Sequence, residues 1–189
     1  MKKLVVLASG SGSNFQAIIE AVRNNELNIE IAGLITNRDG IGAIEHAKMN
    51  RIPVNVINDT DWDDFKLKLI DQLQKWQPDL IVLAGFLKKI PPEVITGFPN
   101  KIINIHPALL PKFGGKGFYG LRVHEAVLKS GDTISGCTVH YVNNEYDRGR
   151  MIEQKEVPVL PSDSPEILAK RVLKAEHELL PSVIKKLIT

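Results

Sequence analysis

Leu4-Val5-Val6-Leu7-Ala8-Ser9-Gly10-Ser11-Gly12-Ser13-Asn14 is the stretch that decides the fold. Its apolar run, residues 4–8, is short and rich in branched side chains, which is typical of a β-strand covered on both faces. Small polar residues then form a loop, and apolar residues at helical spacing follow Asn14. The stretch therefore predicts a strand, a loop and a helix, the first unit of a parallel α/β sheet.

The same alternation continues through the first 105 residues. Further apolar runs predict strands at residues 31–36, 54–57, 80–84 and 102–105. Segments with helical spacing lie between the strands, at residues 14–26, 42–50, 62–76 and 92–98. Strands and helices in this order form a doubly wound parallel sheet with right-handed crossovers.

The pattern changes after Pro107. Residues 138–142 and 151–157 predict two antiparallel strands, and helices are expected at residues 121–129 and 165–188. We expect one domain over residues 1–189, with a Rossmann-like α/β fold: a mostly parallel twisted sheet, an antiparallel C-terminal extension and a covering C-terminal helix. Residues 1–105 would form a phosphate-binding half, and residues 106–189 would hold the catalytic loop, the antiparallel strands and that helix.

Composition restricts the class of protein. Hydrophobic residues make up 43% of the 189 residues and charged residues 24%, as in ordinary globular proteins. A formal net charge of +2 is too small to indicate nucleic-acid binding. No apolar run approaches the ~20 residues that cross a bilayer, and the apolar start is short for a secretory signal. We therefore predict a cytoplasmic protein, monomeric or homodimeric, that binds neither membrane nor nucleic acid.

Asn104-Ile105-His106-Pro107 carries the strongest chemical signal. Side chains alternate between the faces of a strand, so Asn104 and His106 are expected on one face, with Ile105 on the other. Pro107 ends the strand pairing and leaves both polar groups at the rim of the sheet. An amide N–H donor beside an imidazole that titrates near neutrality suits reactions at a carbonyl carbon.

Asp147 is a candidate partner for this pair. It lies in a polar turn, residues 144–149, where aspartate is common for local reasons alone. If the fold brings it to His106, its carboxylate would orient the imidazole and raise its pKa. The four other histidines do not share this setting; they are His46, His124, His140 and His177. No pair of histidines has metal-ligand spacing, and Cys137 has no CxxC partner, so we expect no metal site.

The loop at residues 9–14 is expected to bind an anion. Small residues let backbone N–H groups approach a phosphate, and the following helix favours negative charge at its N-terminus. Ser13 and Gln16 have the spacing of a capping box. A dinucleotide loop would place a third glycine where Phe15 stands, so one phosphate fits better than NAD. From this motif alone, a plain glycine turn with a helix cap stays an equal alternative.

Taken together and in order, the motifs resemble the phosphoribosylglycinamide formyltransferase family of purine biosynthesis. The resemblance rests on Gly10-Ser11-Gly12-Ser13-Asn14, Leu83-Ala84-Gly85-Phe86, the run from Asn104 to Pro111, and residues 136–149. It implies the Rossmann-like formyltransferase fold. It also implies transfer of a formyl group from 10-formyltetrahydrofolate, a co-substrate, to the amine of glycinamide ribonucleotide, without a metal.

The resemblance also implies residue roles. Asn104, His106 and Asp147 would be catalytic. The phosphate and ribonucleotide would bind Gly12, Ser13, Asn14 and Glu176. The folate would bind Asn104 together with Leu87, Lys88, Lys89, Ile90, Asn143, Asn144, Glu145, Tyr146 and Asp147. The Gly-rich loop at residues 113–120 is expected to cover the substrate.

In the implied reaction the neutral amine attacks the formyl carbon directly. Asn104 and a protonated His106 would stabilise the oxyanion, and His106 would move the proton to the leaving nitrogen. Two alternatives stay open. One is a formyltransferase acting on another amine, such as an amino-sugar nucleotide or methionyl-tRNA, although the tRNA enzymes usually carry a further C-terminal domain and this chain is only weakly basic. The other is a non-catalytic folate- or phosphate-binding module.

Overall fold

The computed structural model describes residues 1–58 and 60–188. Its centre is a seven-stranded sheet in the order β3-β2-β1-β4-β5-β6-β7. The strands are β1 Lys2–Leu7, β2 Ile29–Thr36, β3 Val54–Val56, β4 Leu80–Leu83, β5 Ile102–His106, β6 Ile134–Tyr141 and β7 Met151–Pro158. Strands β1 to β5 pair in parallel, and β6 and β7 are antiparallel to their neighbours. The expected mostly parallel sheet with an antiparallel extension is confirmed.

Helices cover both faces of this sheet. They are α1 Ser13–Arg23, α2 Gly42–Met49, α3 Trp62–Trp76, α4 Pro92–Gly97, α5 Leu121–Ser130 and α6 Pro165–Ile188. Alternate residues of β1 separate the two cores: Leu4 and Val6 pack with α1, α2, α5 and α6, whereas Val5 and Leu7 pack with α3 and α4. All four side chains are at most 1% exposed, which explains why the first apolar run is continuous rather than alternating.

The strand order places the site. From β1 the chain adds β2 and β3 on one side, and it then adds β4 and β5 on the other. Ligands of such sheets bind at this switch point, beyond the carboxyl ends of the strands. Strand β6 then pairs with β5 so that His140 lies opposite Asn104 and Thr138 opposite His106. Polar side chains from two neighbouring strands therefore meet at one edge of the sheet.

The start of α1 differs from the sequence-based expectation. The expected capping box at Ser13 is wrong: the N-cap is Gly12, with φ +80°, and no side chain caps the helix. A Cβ at Gly12 would lie 2.6 Å from the Ala43 Cα, so this loop packs directly against the start of α2. Among the described residues, no helix is both long enough and apolar enough to cross a membrane.

Candidate active site

A cavity of about 330 Å³ opens at the carboxyl ends of β1, β4 and β5. It brings together residues that are far apart in the chain: Asn14, residues 85–87, residues 104–107, residues 115–120, Tyr146, Asp147 and Glu176. The loops after β1, β4 and β5 therefore border one crevice, and residues 115–120 supply much of one wall.

Asn104, His106 and Asp147 meet in this cavity. Asn104 Nδ2 donates to Asp147 Oδ1 over 3.4 Å, and His106 Nδ1 lies 3.5 Å from Asp147 Oδ2. Because residues two apart on β5 share a face, both side chains reach the same carboxylate. The His106 side chain is 5% exposed and that of Asp147 13%, so the group is largely shielded from water.

The partners of His106 define where its proton sits. Its Nε2 lies 2.8 Å from the Phe113 carbonyl oxygen. A carbonyl only accepts, so in the neutral ring Nε2 carries the proton and donates to Phe113, leaving Nδ1 as the basic nitrogen beside Asp147. The net pKa of His106 is below its ordinary value, although the Asp147 carboxylate acts to raise it as expected. Burial lowers the pKa of His106, and the opposing effects of Asp147 and the Phe113 carbonyl do not compensate.

Asp147 shows the opposite balance. Burial acts to raise its pKa, but the pKa of Asp147 is lowered by its contact with His140, by the charge that His106 carries when protonated and by the hydrogen bond from the Gly115 N–H. The Gly115 N–H donates to Asp147 Oδ2 over 2.9 Å. The carboxylate is thus fixed as an anion at the centre of the group, where it stabilises positive charge on the neighbouring ring.

His140 is a member of this group that the sequence analysis missed. Its Nδ1 donates to the Tyr141 carbonyl over 2.9 Å, so Nε2 accepts from Asn104 Nδ2 over 3.1 Å in the neutral ring. The Nε2 atom also lies 3.5 Å from Asp147 Oδ1. These contacts orient the Asn104 amide. Only the β5–β6 register, which places His140 opposite Asn104, would have revealed the contact.

The far side of the cavity carries a second polar pair. Asn14 Nδ2 donates to Glu176 Oε2 over 2.6 Å, while the buried Asn14 Oδ1 has no hydrogen-bond partner among the described residues. Glu176 is 6% exposed. Burial raises the pKa of Glu176 to about 7, and the hydrogen bond from Asn14 only partly opposes this shift.

The start of α1 borders the same end of the cavity. The first backbone hydrogen bond of α1 runs from Gln16 N–H to the Gly12 carbonyl, so the N–H groups of residues 13–15 precede the intrahelical ladder and are available to an anion. Asn14 lines the cavity, but the Ser13 side chain lines a separate groove of about 730 Å³ between α1, α2 and α6. Of the four residues expected to bind the phosphate and ribonucleotide, Asn14 and Glu176 line the cavity, whereas Gly12 and Ser13 do not.

Comparison with known proteins identifies the family. Residues 2–184 match the formyl transferase family. This chain belongs to the formyl transferase family. The resemblance drawn from the sequence is confirmed, because the chain is also 48% identical over 187 residues to a chloroplastic phosphoribosylglycinamide formyltransferase of Arabidopsis thaliana. That match covers 97% of this chain and 64% of the relative, so the chain spans a little less than two thirds of its plant relative's length.

Bacterial relatives are matched over more of their length. The chain is 39% identical to the phosphoribosylglycinamide formyltransferase of Haemophilus influenzae, a match that covers 98% of this chain and 86% of the relative. The crystal structure of glycinamide ribonucleotide transformylase 1 from Geobacillus kaustophilus superposes with a TM-score of 0.92 at 37% identity, over 100% of both chains. The expected α/β formyltransferase fold is thereby confirmed.

The residues expected to bind folate divide between two places in this formyl transferase. Leu87 lines the main cavity, and a smaller cavity of about 80 Å³ adjoins it. Phe86, Asn104, Tyr146 and Asp147 are shared by both. The smaller cavity is also lined by Lys88, Lys89, Ile90, Asn143 and Glu145, whereas Asn144 lines neither. The described residues contain no group of three or more histidine, cysteine, aspartate or glutamate side chains arranged to hold a metal.

Proposed function

We propose that this chain transfers the formyl group of 10-formyltetrahydrofolate to the primary amine of glycinamide ribonucleotide. One observation carries the proposal: a single cavity holds the Asn104–His106–Asp147 group at one end and the start of α1 with Asn14 and Glu176 at the other. The first end suits chemistry at a formyl carbon, and the second suits a phosphorylated ligand with hydroxyl groups. The names of the relatives point to the same acceptor.

Attack by the neutral amine forms a C–N bond to the formyl carbon, and negative charge develops on the formyl oxygen. Asn104 Nδ2 and His106 Nε2 are the donors for this oxyanion. In the free protein, Nδ2 makes a long 3.4 Å contact with Asp147, and Nε2 donates to Phe113. The oxyanion replaces these two contacts, while the shorter bond from Nδ2 to His140 keeps the amide in place.

His106 also moves the proton. Because its pKa is lowered, His106 is neutral near pH 7, and Nδ1 can accept the proton that the attacking nitrogen loses, directly or through a water held by Asp147. The imidazolium so formed lies 3.5 Å from the Asp147 carboxylate, which stabilises it. The proton then passes to the folate nitrogen as its bond to the formyl carbon breaks. No protein nucleophile is needed.

The loop at residues 113–120 must adjust when substrate binds. In the free protein, the His106 Nε2–H donates to the Phe113 carbonyl, and the Gly115 N–H donates to the Asp147 carboxylate. A Cβ at residue 114 would lie 2.4 Å from Leu110 Cδ2, so glycine allows this close approach. The loop thus covers the catalytic group in the free protein, and its contacts are exchanged for contacts with substrate.

Formyl transfer from 10-formyltetrahydrofolate is the direct test, with glycinamide ribonucleotide, an amino-sugar nucleotide and methionyl-tRNA offered as competing acceptors. We expect the ribonucleotide to be formylated in preference to the others. Release of formate without an acceptor would instead indicate hydrolysis, the activity named for a structural relative from Pseudomonas syringae that is 25% identical. Ligand binding without any turnover would support the non-catalytic alternative.

The division into a phosphate-binding half at residues 1–105 and a catalytic half at residues 106–189 belongs to this proposal. So do the cytoplasmic location and the monomeric or homodimeric state. The plant relatives are named chloroplastic, so location differs among relatives of this chain. Cell fractionation tests the location, and light scattering of the purified protein tests the oligomeric state.

A further inference from the structure

A buried serine joins the loops that border the two ends of the site. Ser9, at the end of β1, is 3% exposed. Its hydroxyl donates to Asn37 Oδ1 over 2.7 Å and accepts from the Leu87 N–H over 3.1 Å. Its own N–H donates to the Gly85 carbonyl over 3.1 Å. One residue therefore links the loops that follow β1, β2 and β4.

The loops after β1 and β4 serve different ligands in the proposed reaction. The chain runs from Ser9 through Gly10 to the start of α1, where the phosphate is expected. The Gly10 carbonyl accepts from the Ala43 N–H over 3.2 Å, so α2 holds this loop as well. Residues 85–87 line the main cavity and lead into the segment expected to bind folate.

Two of the linked residues are buried, Ser9 at 3% and Asn37 at 6% exposed, whereas Leu87 is 48% exposed. If the loop after β1 or β4 shifts, the buried Ser9 hydroxyl loses a hydrogen bond that holds it, and such a loss inside the protein is costly. A ligand that orders one loop therefore also restrains the other, and the second ligand loses less conformational freedom when it binds. Ser9 touches neither cavity, so it acts through these loops rather than on the ligands.

We propose that Ser9 is a positioning residue that couples the two substrate subsites, so that ribonucleotide and folate each strengthen binding of the other. This inference rests on the proposed function. Coupling is reciprocal, so the factor by which the ribonucleotide tightens folate binding equals the factor in the other direction. That equality provides an internal check on the measurement.

Calorimetry measures the coupling with glycinamide ribonucleotide and a folate analogue in which carbon replaces N10, so that no transfer occurs. In the wild-type chain we expect the folate analogue to bind about fivefold more tightly when the ribonucleotide is present. In Ser9→Ala the factor falls to about one. Ser9→Cys, which keeps the side-chain volume but hydrogen-bonds weakly, gives the same loss.

Ser135→Ala is the matched control. Ser135 is 2% exposed and its hydroxyl has no hydrogen-bond partner among the described residues, so the variant removes a buried hydroxyl without touching the link. We expect Ser135→Ala to keep the wild-type factor by which the ribonucleotide tightens binding of the folate analogue. A wild-type factor in Ser9→Ala or Ser9→Cys overturns the proposal, as does independent binding of the two ligands in the wild-type chain.

Amide hydrogen exchange tests the link without any substitution. The ribonucleotide alone slows exchange of the Leu87 N–H, although it binds at the opposite end of the cavity. Unchanged exchange at residues 85–87 in the saturated ribonucleotide complex contradicts the coupling. If neither ligand binds at all, it is the proposed function that fails, so the two failures are distinct.

Discussion

Two carboxyl groups border the same cavity, and their pKa values are shifted in opposite directions. Glu176 is almost completely buried, has Asn14 as its hydrogen-bond donor, and has its pKa raised to about 7. Asp147 has its pKa lowered although burial opposes this, because His140, His106 and the Gly115 N–H all favour its charge. A buried carboxyl ionises readily only where enough donors replace the lost water.

The difference matches the proposed chemistry at each end of the cavity. Asp147 already has its hydrogen-bond partners before substrate binds, so it is charged and can stabilise the imidazolium of His106. The Glu176 pair is incomplete, since Asn14 Oδ1 is unpartnered in the described structure. Hydroxyl donors of a ligand would supply what Glu176 and Asn14 lack. One end is therefore preorganised for charge that develops during reaction, and the other for binding.

The largest effect is expected from removing either of the two side chains that contact Asp147, His106 or Asn104. His106→Ala or Asn104→Ala should each lower turnover by about 100- to 1,000-fold, since each removes a group aimed at the developing oxyanion. Steady-state kinetics measures the loss, and calorimetry should show ribonucleotide affinity within about twofold of wild type, because Asn14 and Glu176 remain. Wild-type turnover in both variants would exclude this group as the catalytic centre.

A second variant removes the charge of Asp147 itself. Asp147→Asn should lower turnover by about 100-fold, because the imidazolium of His106 loses its counter-charge. Asp147 acts to raise the pKa of His106, so its loss lowers that pKa further and moves the acidic limb of the kcat/KM profile to lower pH. Asp63→Asn, whose side chain is 79% exposed, serves as control. An unmoved acidic limb would mean that the two residues are not coupled.

A smaller effect is expected at His140. His140→Phe removes the acceptor that orients the Asn104 amide and should lower turnover by about tenfold through misplacement of that amide. His140→Gln, which can again accept a hydrogen bond, should recover part of the loss. Equal turnover in the two variants would show that His140 fills space rather than orients Asn104.

The local parts of this site could be predicted from the sequence. Strand periodicity placed Asn104 and His106 on one face, and Pro107 marked where pairing ends, because both rules depend on adjacent residues. The same holds for the strand-loop-helix unit at the start of the chain. The motif resemblance then supplied Asp147 and Glu176, which lie 41 and 70 residues beyond His106.

What the sequence analysis missed depends on contacts between distant segments. His140 enters the site through the register of β5 against β6, which no local pattern specifies. The helix cap expected at Ser13 is absent because Gly12, which packs against Ala43, is the N-cap instead. The downward shift in the pKa of His106 has a similar origin: the effect of Asp147 was anticipated with the correct sign, but the burial that outweighs it is a property of the whole fold.

The effect expected at Glu176 is on stability rather than on turnover, and it tests the other side of the comparison. Below about pH 4.5, Glu176 is protonated in both the folded and unfolded chain; between about pH 4.5 and 7 the folded chain keeps a proton that the unfolded chain loses. Its contribution to the free energy of unfolding therefore falls as pH rises through this window.

Glu176→Gln keeps an acceptor for Asn14 and cannot ionise. In urea unfolding it should match wild type near pH 4.5 and exceed it by up to about 3 kcal/mol at pH 8, since each unit of pKa shift is worth about 1.4 kcal/mol. Glu30→Gln, at an exposed position of β2, serves as the control for loss of a carboxylate. A difference between Glu176→Gln and wild type that is constant from pH 4.5 to 8 would mean that Glu176 is ionised like a surface carboxylate. In that case the contrast with Asp147 would not hold.

Saturating ribonucleotide should reverse the order of stability of Glu176→Gln and wild type at pH 8, because only the carboxylate accepts strong hydrogen bonds from the hydroxyl groups of the ligand.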